Sequence, residues 1–133
     1  MSDHAADRPF WHLAEEEHWR AALASGRYDR STLGATLAQV GFVHGSYPER
    51  LAAVVRAHYA RHTGPLVVLE IDPSLLREAG IEVRLEPGDP GDPDSPHYPH
   101  VHGALPVGAV TRTRPAGVDR GWLDLGPWEP VAD

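Results

Sequence analysis

The sequence predicts a single domain of the α+β class, in which short strands and short helices follow one another. Its 133 residues are enough for one hydrophobic core, and 41% of them are hydrophobic. The 13 glycines and 13 prolines indicate many turns, which argues against a helical bundle. Apolar residues recur with strand spacing in some segments and with helix spacing in others, and no internal repeat is visible.

The predicted elements follow from this periodicity and from helix and turn signals. In chain order they are a strand at 10–13, a helix at 15–25, a connector at 27–39, a strand at 40–44, a helix from Pro48 to Gly64, a strand at 66–71, a helical turn near 75–76, a strand at 81–86, a loop at 87–99, and strands at 100–103 and 109–112. We expect residues 1–9 to be a flexible leader, residues 10–114 to form the domain and residues 115–133 to form a C-terminal arm or tail.

The two helices are predicted from their ends as well as from their apolar stripes. Residues 15–25 open with three glutamates, where the helix dipole favours negative charge, and Gly26 can end the helix. The second helix begins at Pro48, a residue that suits a first helical turn because its missing N–H has no partner there.

Two strands are predicted with distinct environments. Residues 66–71 are nearly all apolar, so we expect a central strand that is covered on both faces. Residues 81–86 alternate between apolar and charged side chains, the pattern of a half-buried strand. Residues 87–99 hold five prolines, two glycines and three aspartates, which predicts a mobile loop.

The charge and composition exclude several function classes. A net charge of −7 disfavours DNA and anionic membrane surfaces as partners. The chain has no Cys, and its 12 basic residues are all Arg, which excludes thiol nucleophiles and Schiff-base lysines. The polar N-terminus does not resemble a signal peptide, and we expect a cytoplasmic protein that acts on a small-molecule or nucleotide ligand.

Histidines are the chemically suggestive residues. His44 lies in a Gly-Phe-Val-His-Gly-Ser run that leads into a helix start, and Ser46 ends this run where an anion can bind. His12 lies on the first strand, where a single histidine is more often structural than catalytic. Glu86 ends its strand, and the sequence predicts that His100 and His102 share one strand face.

These motifs, taken in order, resemble a bacterial family known as domain of unknown function 952. The residues that carry the resemblance are 10–13 (Phe-Trp-His-Leu), Trp19, 26–28, 41–46, 69–72, 83–86 and 98–106 (Tyr-Pro-His-Val-His-Gly-Ala-Leu-Pro). The resemblance covers roughly residues 10–114. It implies an ADP-ribosyltransferase-like fold of small split antiparallel β-sheets with flanking helices, distantly similar to the RNA 2'-phosphotransferase type.

The resemblance also implies a nucleotide site. His12 would hydrogen-bond a ribose of bound NAD, with Ser46 beside it, and His44 would lie near the nicotinamide. Glu86 and His100 would line the same cleft. We therefore expect transfer of ADP-ribose from NAD to a small acceptor, with His44, Glu86 and His100 as catalytic residues.

Three alternatives remain open from the residues alone. The first is a metal-dependent enzyme, in which His97, His100 and His102 contribute ligands for a divalent metal. The second is a module that binds a small ligand without turnover. The third is an interaction domain that uses Trp122 and Trp128.

Overall fold

The computed structural model describes residues 8–31 and 35–131, and it contains three antiparallel sheets. The main sheet has the strand order β1–β4–β8–β10, with β9 also paired to β8. The site sheet has the order β3–β6–β5, and β2 pairs with β7 as a ribbon. The strands are β1 Phe10–Glu15, β2 Arg27–Tyr28, β3 Val43–His44, β4 Leu66–Ile71, β5 Glu82–Pro87, β6 His97–His102, β7 Leu105–Pro106, β8 Val110–Asp119, β9 Trp122–Leu125 and β10 Glu129–Pro130.

The helices are short and flank these sheets. They are α1 Glu16–Ser25, α2 Leu37–Val40, a 3-10 turn at Pro48–Arg50 that continues into α3 Leu51–Val54 and a π-helical turn at Val55–Tyr59, α4 Pro73–Glu78 and a 3-10 turn at Val107–Ala109. The predicted mixed α+β class with antiparallel sheets and few helices is therefore confirmed. Among the described residues, no helix is both long enough and apolar enough to cross a membrane.

The strand predicted to be central is central. β4 lies between β1 and β8, and Val68, Leu69 and Ile71 have no measurable exposure. A side chain of this kind contributes about 1.5–3 kcal/mol when it is fully buried. Because β4 is apolar on both faces, it supports one hydrophobic cluster on each side of the main sheet.

The two predicted helices form, with one difference in geometry. α1 ends at Gly26, whose φ of 89° is the left-handed conformation that glycine adopts at little cost. The second helix starts at Pro48 as predicted, but its last turn is π-helical and it ends at Tyr59, before Gly64. Val55 and Tyr59, at the two ends of this turn, are both buried, so the turn packs one face against the core.

The C-terminal segment pairs with the main sheet on both sides of the predicted boundary at residue 114. That boundary falls inside β8, and the chain beyond it continues as β8, β9 and β10 of the main sheet. Trp128 is half-buried, because the guanidinium of Arg112 lies 3.9 Å from its ring and Trp11 packs edge-on against it at 5.5 Å. Only Trp122 of the two tail tryptophans is largely exposed, at 77%.

Three predicted segments without regular structure are only partly as expected. The connector at 27–39 contains β2 and most of α2, which ends at Val40, and residues 32–34 lie outside the described residues. Most of the predicted leader, residues 1–7, also lies outside them. The predicted loop is shorter than expected, since β5 extends to Pro87 and β6 begins at His97.

Candidate functional site

The site sheet separates an apolar face from a face of histidines. Along β6, Val101 points into the core and is fully buried, whereas His100 and His102 point to the opposite face. The prediction that these two histidines share a face is confirmed, because both contact the same carboxylate oxygen of Glu86. His97 is exposed, and the strand alternation directs it away from them.

β3 brings His44 beside His100. The two strands are antiparallel, with His44 opposite His100 and Val43 opposite Val101. Gly45 permits this pairing, because a Cβ at that position would lie 2.6 Å from both the Phe10 ring and the Pro99 carbonyl oxygen. The glycine after His44 is therefore required by the close approach of three chain segments.

A hydrogen-bonded chain of three side chains results. Glu86 Oε1 lies 2.9 Å from His100 Nδ1, and His100 Nε2 lies 3.2 Å from His44 Nδ1. The other ring nitrogen, His44 Nε2, is buried and has no hydrogen-bond partner among the described residues. Buried polar atoms normally have a partner, so this atom needs an explanation, as does His62 Nε2, which is also buried without a partner among the described residues.

The environment of these three side chains sets their charges. Hydrogen bonds from His102 and from His100 lower the pKa of Glu86 although burial opposes them, so its carboxylate is ionised at neutral pH. Burial lowers the pKa of His44, and together with the neighbouring His100 it brings the value to about 3. Burial also lowers the pKa of His100, against the attraction of Glu86. Both histidines are therefore neutral at pH 7.

Neutral rings fix where the protons lie. The carboxylate only accepts, so His100 Nδ1–H donates to Glu86, which leaves His100 Nε2 as an acceptor. His44 Nδ1–H then donates to His100, and His44 Nε2 carries a lone pair. This assignment rests on the hydrogen-bond network, in which each donor has one acceptor.

His12 differs from His44 in that both of its ring nitrogens have hydrogen-bond partners inside the protein. Its Nδ1–H donates to the carbonyl oxygen of His44 at 2.6 Å, and the Tyr28 hydroxyl donates to its Nε2 at 2.8 Å. Its exposure is 2%, and burial lowers its pKa to about 4. A ribose could contact His12 only by displacing one of these partners. His12 thus supports the backbone of His44.

Ser46 ties the site sheet to the main sheet. Its backbone exchanges two hydrogen bonds with Trp11, both of 2.7 Å, and its hydroxyl donates to the carbonyl of Tyr47 at 3.0 Å. It is 2% exposed. The structure therefore brings together His44, Glu86 and His100, whereas it places Ser46 and His12 behind them as supports.

His44 adjoins a cavity of about 240 Å³. Its lining residues are His44, Ala53, Val54, Ala57, His58, Gly88, Asp89, Ser95, Pro96 and Tyr98. A second cavity of about 10 Å³, on the side of His44 that faces His12, is about the size that one water molecule needs. A cavity of about 300 Å³ between α1 and β8 has no histidine in its lining.

Sequence reasoning missed several residues at this site. The Phe42 ring stacks on His100 with centroids 3.9 Å apart, and the Tyr98 ring lies 5.1 Å from His44. Tyr28, the partner of His12, is separated from it by 16 residues in sequence. Phe42 and Tyr98 lie within the quoted motifs, and their aromatic character was the available signal. Tyr28 also lies in a quoted motif, at 26–28, but no sequence pattern paired it with His12.

The histidines within the described residues do not converge on a metal position. Among residues 8–31 and 35–131, no group of three metal-binding side chains is close enough to hold an ion. His100 and His102 both bind Glu86, and His97 lies on the other side of the strand.

The comparisons with known proteins identify the family. The model of the family described as "Protein of unknown function (DUF952)" matches residues 13–113, most of the chain. The chain belongs to this family. The family resemblance is therefore confirmed, and the DUF952 match spans the site sheet and the strands that carry His44, Glu86 and His100.

The fold of this DUF952 chain has a crystallographic counterpart. Protein CC0527 from Caulobacter crescentus matches with a TM-score of 0.70 and 23% identity, over 88% of this chain and 94% of that chain. A double mutant of CC0527 matches with a TM-score of 0.68 and 22% identity, over the same shares. These likenesses show a common fold. No curated protein matches the sequence.

Proposed function

We propose that His44 is the proton acceptor of an enzyme site for a small ligand or for one end of a nucleotide. The observation that carries this proposal is the lone pair of His44 Nε2, which is buried, has no partner among the described residues and belongs to a ring that lines a cavity. A histidine within reach of a ligand hydroxyl is the commonest general base in enzymes.

Glu86 and His100 make this base effective. A proton taken at Nε2 would place a positive charge on a buried ring whose pKa lies near 3. The Nδ1 proton of His44 can instead pass to His100 Nε2, over a contact of 3.2 Å. The charge then lies on His100, 2.9 Å from the carboxylate of Glu86. Glu86 and His100 thus act through His44.

The reaction we propose is ADP-ribosyl transfer from NAD within an ADP-ribosyltransferase-like fold. The glycosidic C–N bond to nicotinamide breaks, nicotinamide leaves with the electron pair, and an oxocarbenium-like centre forms at the ribose. An acceptor hydroxyl then forms the new C–O bond while His44 takes its proton. Support comes from the sequence resemblance and from the cavity, whose volume of about 240 Å³ suits one end of a dinucleotide.

A module that binds without turnover is the second candidate. The same low pKa that keeps His44 neutral makes Nε2 a permanent hydrogen-bond acceptor. Such an atom can fix the orientation of a ligand N–H or O–H group without any proton transfer. Binding together with the absence of product would favour this candidate.

Calorimetric titration of metal-stripped protein with NAD and with ADP-ribose, followed by an assay for released nicotinamide, tests the proposal. We compare the wild type with His44→Ala and with His97→Ala, a matched change at an exposed histidine. The proposal predicts saturable NAD binding and nicotinamide release in the wild type and in His97→Ala. It predicts loss of release in His44→Ala.

The outcomes separate the candidates. Binding without release, lost in His44→Ala, would favour the binding module. No binding of either nucleotide to folded wild-type protein would refute the dinucleotide proposal. A separate arm with Zn²⁺ tests the metal-dependent alternative, which predicts stoichiometric binding that His100→Ala abolishes.

A further inference from the structure

The cavity beside His44 has one acidic residue in its lining, the exposed Asp89. The loop at 88–96 forms one side of the cavity and contains Asp89, Asp92 and Asp94 but no basic residue. Asp89 is a lining residue, and no arginine belongs to the lining described. Since the chain has no Lys, Asp89 provides the formal charge of this lining. Its negative charge favours a cation over a phosphate.

Asp89 is held in place by the fold of its loop. Its Oδ1 accepts the Gly91 N–H at 2.9 Å, and its own N–H donates to the Ser95 hydroxyl at 3.1 Å. The Gly88 N–H donates to the carbonyl of Pro96 at 2.8 Å and closes the loop. One carboxylate oxygen therefore fixes the turn. The other has no hydrogen bond within the part of the chain that the structure describes.

Tyr98 provides an aromatic ring in the same cavity. It is half-buried, and its ring packs so tightly on Gly88 that a Cβ there would lie 2.6 Å from the ring carbon Cε1. The loop that carries Asp89 is thus seated directly on the ring. A tyrosine face attracts an organic cation electrostatically, and a nearby carboxylate adds to that attraction.

We propose that this cavity binds a small, flat organic cation, held by the Asp89 carboxylate and the Tyr98 ring beside His44. The chemistry is that of a quaternary or pyridinium nitrogen, and a phosphate group is excluded from this end of the ligand. If the proposed function holds, the cation is the positively charged nicotinamide end of oxidised NAD; this assignment rests on the proposed function. The diphosphate then lies outside the cavity.

The test compares 1-methylnicotinamide, a cation, with nicotinamide, its neutral counterpart, by calorimetry or NMR titration of the whole chain. We expect the cation to bind about tenfold more tightly, which corresponds to one favourable charge contact. Asp89→Asn, which retains the acceptor for Gly91, should remove most of this preference. Asp124→Asn, an equal charge change on exposed β9, should retain it.

Tyr98→Leu supplies a second test that does not alter the charge. It should weaken the binding of the cation more than the binding of the neutral ligand, because the attraction between the aromatic ring and the positive charge is lost. Equal binding of the two ligands to the wild type, binding of neither, or an unchanged preference in Asp89→Asn would each overturn the inference. If NAD binds but the charge preference is absent, the inference fails alone. If the cation binds through Asp89 but NAD does not, the proposed function fails alone.

Discussion

His12 and His44 are joined by one hydrogen bond, yet their environments differ in the property that matters for chemistry. His12 is buried and His44 is half-buried, and burial lowers both pKa values, to about 4 and about 3. His12 has a partner on each nitrogen, whereas His44 has one on Nδ1 only among the described residues. A depressed histidine pKa therefore reports burial, and the unpartnered nitrogen is what distinguishes a candidate reactive group from a structural one.

The largest expected effect is on activity and belongs to His44. Under the proposed function, His44→Ala should reduce nicotinamide release by roughly 10²–10⁴-fold, the usual contribution of a general base. The free energy of unfolding should fall by roughly 1–3 kcal/mol, because the loss of the Nδ1–H group leaves His100 Nε2 without its donor. Steady-state kinetics and urea denaturation measure the two quantities. Activity within a factor of a few of the wild type would remove His44 from the mechanism.

His12→Ala should show the opposite balance. It removes a buried ring and leaves the Tyr28 hydroxyl and the His44 carbonyl without partners, which should cost roughly 3–5 kcal/mol of unfolding free energy. Denaturant titration measures this loss, and His97→Ala is the control at an exposed histidine. A loss no greater than that of the control would contradict the supporting role of His12.

The pH dependence of the unfolding free energy should show that the His12 ring is neutral in the folded protein. The pKa of His12 falls from its ordinary value of about 6.5 to about 4 on folding, so the unfolded chain binds more protons between these two pH values. Stability is then complete above pH 6.5 and declines as the pH falls toward 4, by on the order of 3 kcal/mol from this residue. Urea midpoints from pH 7.5 to pH 4 measure the decline. His12→Leu should make the curve shallower, with the decline that the lowered pKa of His44 contributes still present, and an equally steep curve would argue against a neutral His12.

Glu86→Gln tests whether the negative charge of Glu86 assists His44 through His100. The amide oxygen can still accept a hydrogen bond, but the negative charge that stabilises a protonated His100 is lost. We expect kcat to fall by about tenfold, with a smaller change in KM and a shift in the pH profile of kcat. Glu78→Gln, on the exposed end of α4, is the control. An unchanged pH profile would reduce Glu86 to a structural partner.

The smallest expected effect is the loss of stability in Tyr28→Phe, which isolates one hydrogen bond of His12. Tyr28→Phe removes only the hydroxyl that donates to His12 Nε2 and should cost about 1–2 kcal/mol of stability. It leaves the bond from His12 to the His44 carbonyl in place, so activity should be retained. Thermal and denaturant unfolding measure the loss. A large loss of activity instead would show that the two histidines are coupled through the backbone of His44.

Local patterns predicted the elements that depend on local physics. The apolar run at 66–71 and the alternation at 81–86 predicted β4 and β5, since burial on two faces or on one face is visible in the order of side chains. β9 and β10 were missed because they are short and mostly exposed. β9 pairs with β8 across the two-residue turn between Asp119 and Trp122, which lacks the Asn-Gly or Asp-Gly signal of a hairpin, whereas β10 pairs with Arg112 and Thr113 at the far end of β8.

The site could be predicted only in part, for a related reason. The motifs indicated His44, Glu86 and His100, and the structure joins these three side chains by hydrogen bonds. Their catalytic roles stay predictions. Which nitrogen bonds to which partner depends on the register of β3, β5 and β6, and no sequence pattern gives that register. Asp89 lay in a segment predicted only as a loop, and its place in the cavity wall depends on the turn that it forms with Gly91.

The tautomer and charge of His44 test the central claim most directly. Long-range ¹H–¹⁵N NMR of the histidine rings, assigned with His44→Ala, reports protonation at each nitrogen. We predict that at pH 7 His44 is neutral, protonated at Nδ1 and unprotonated at Nε2, and that its Nε2 signal shifts when NAD is added. A His44 ring protonated at Nε2, or an Nε2 signal that saturating NAD leaves unchanged, would contradict the account.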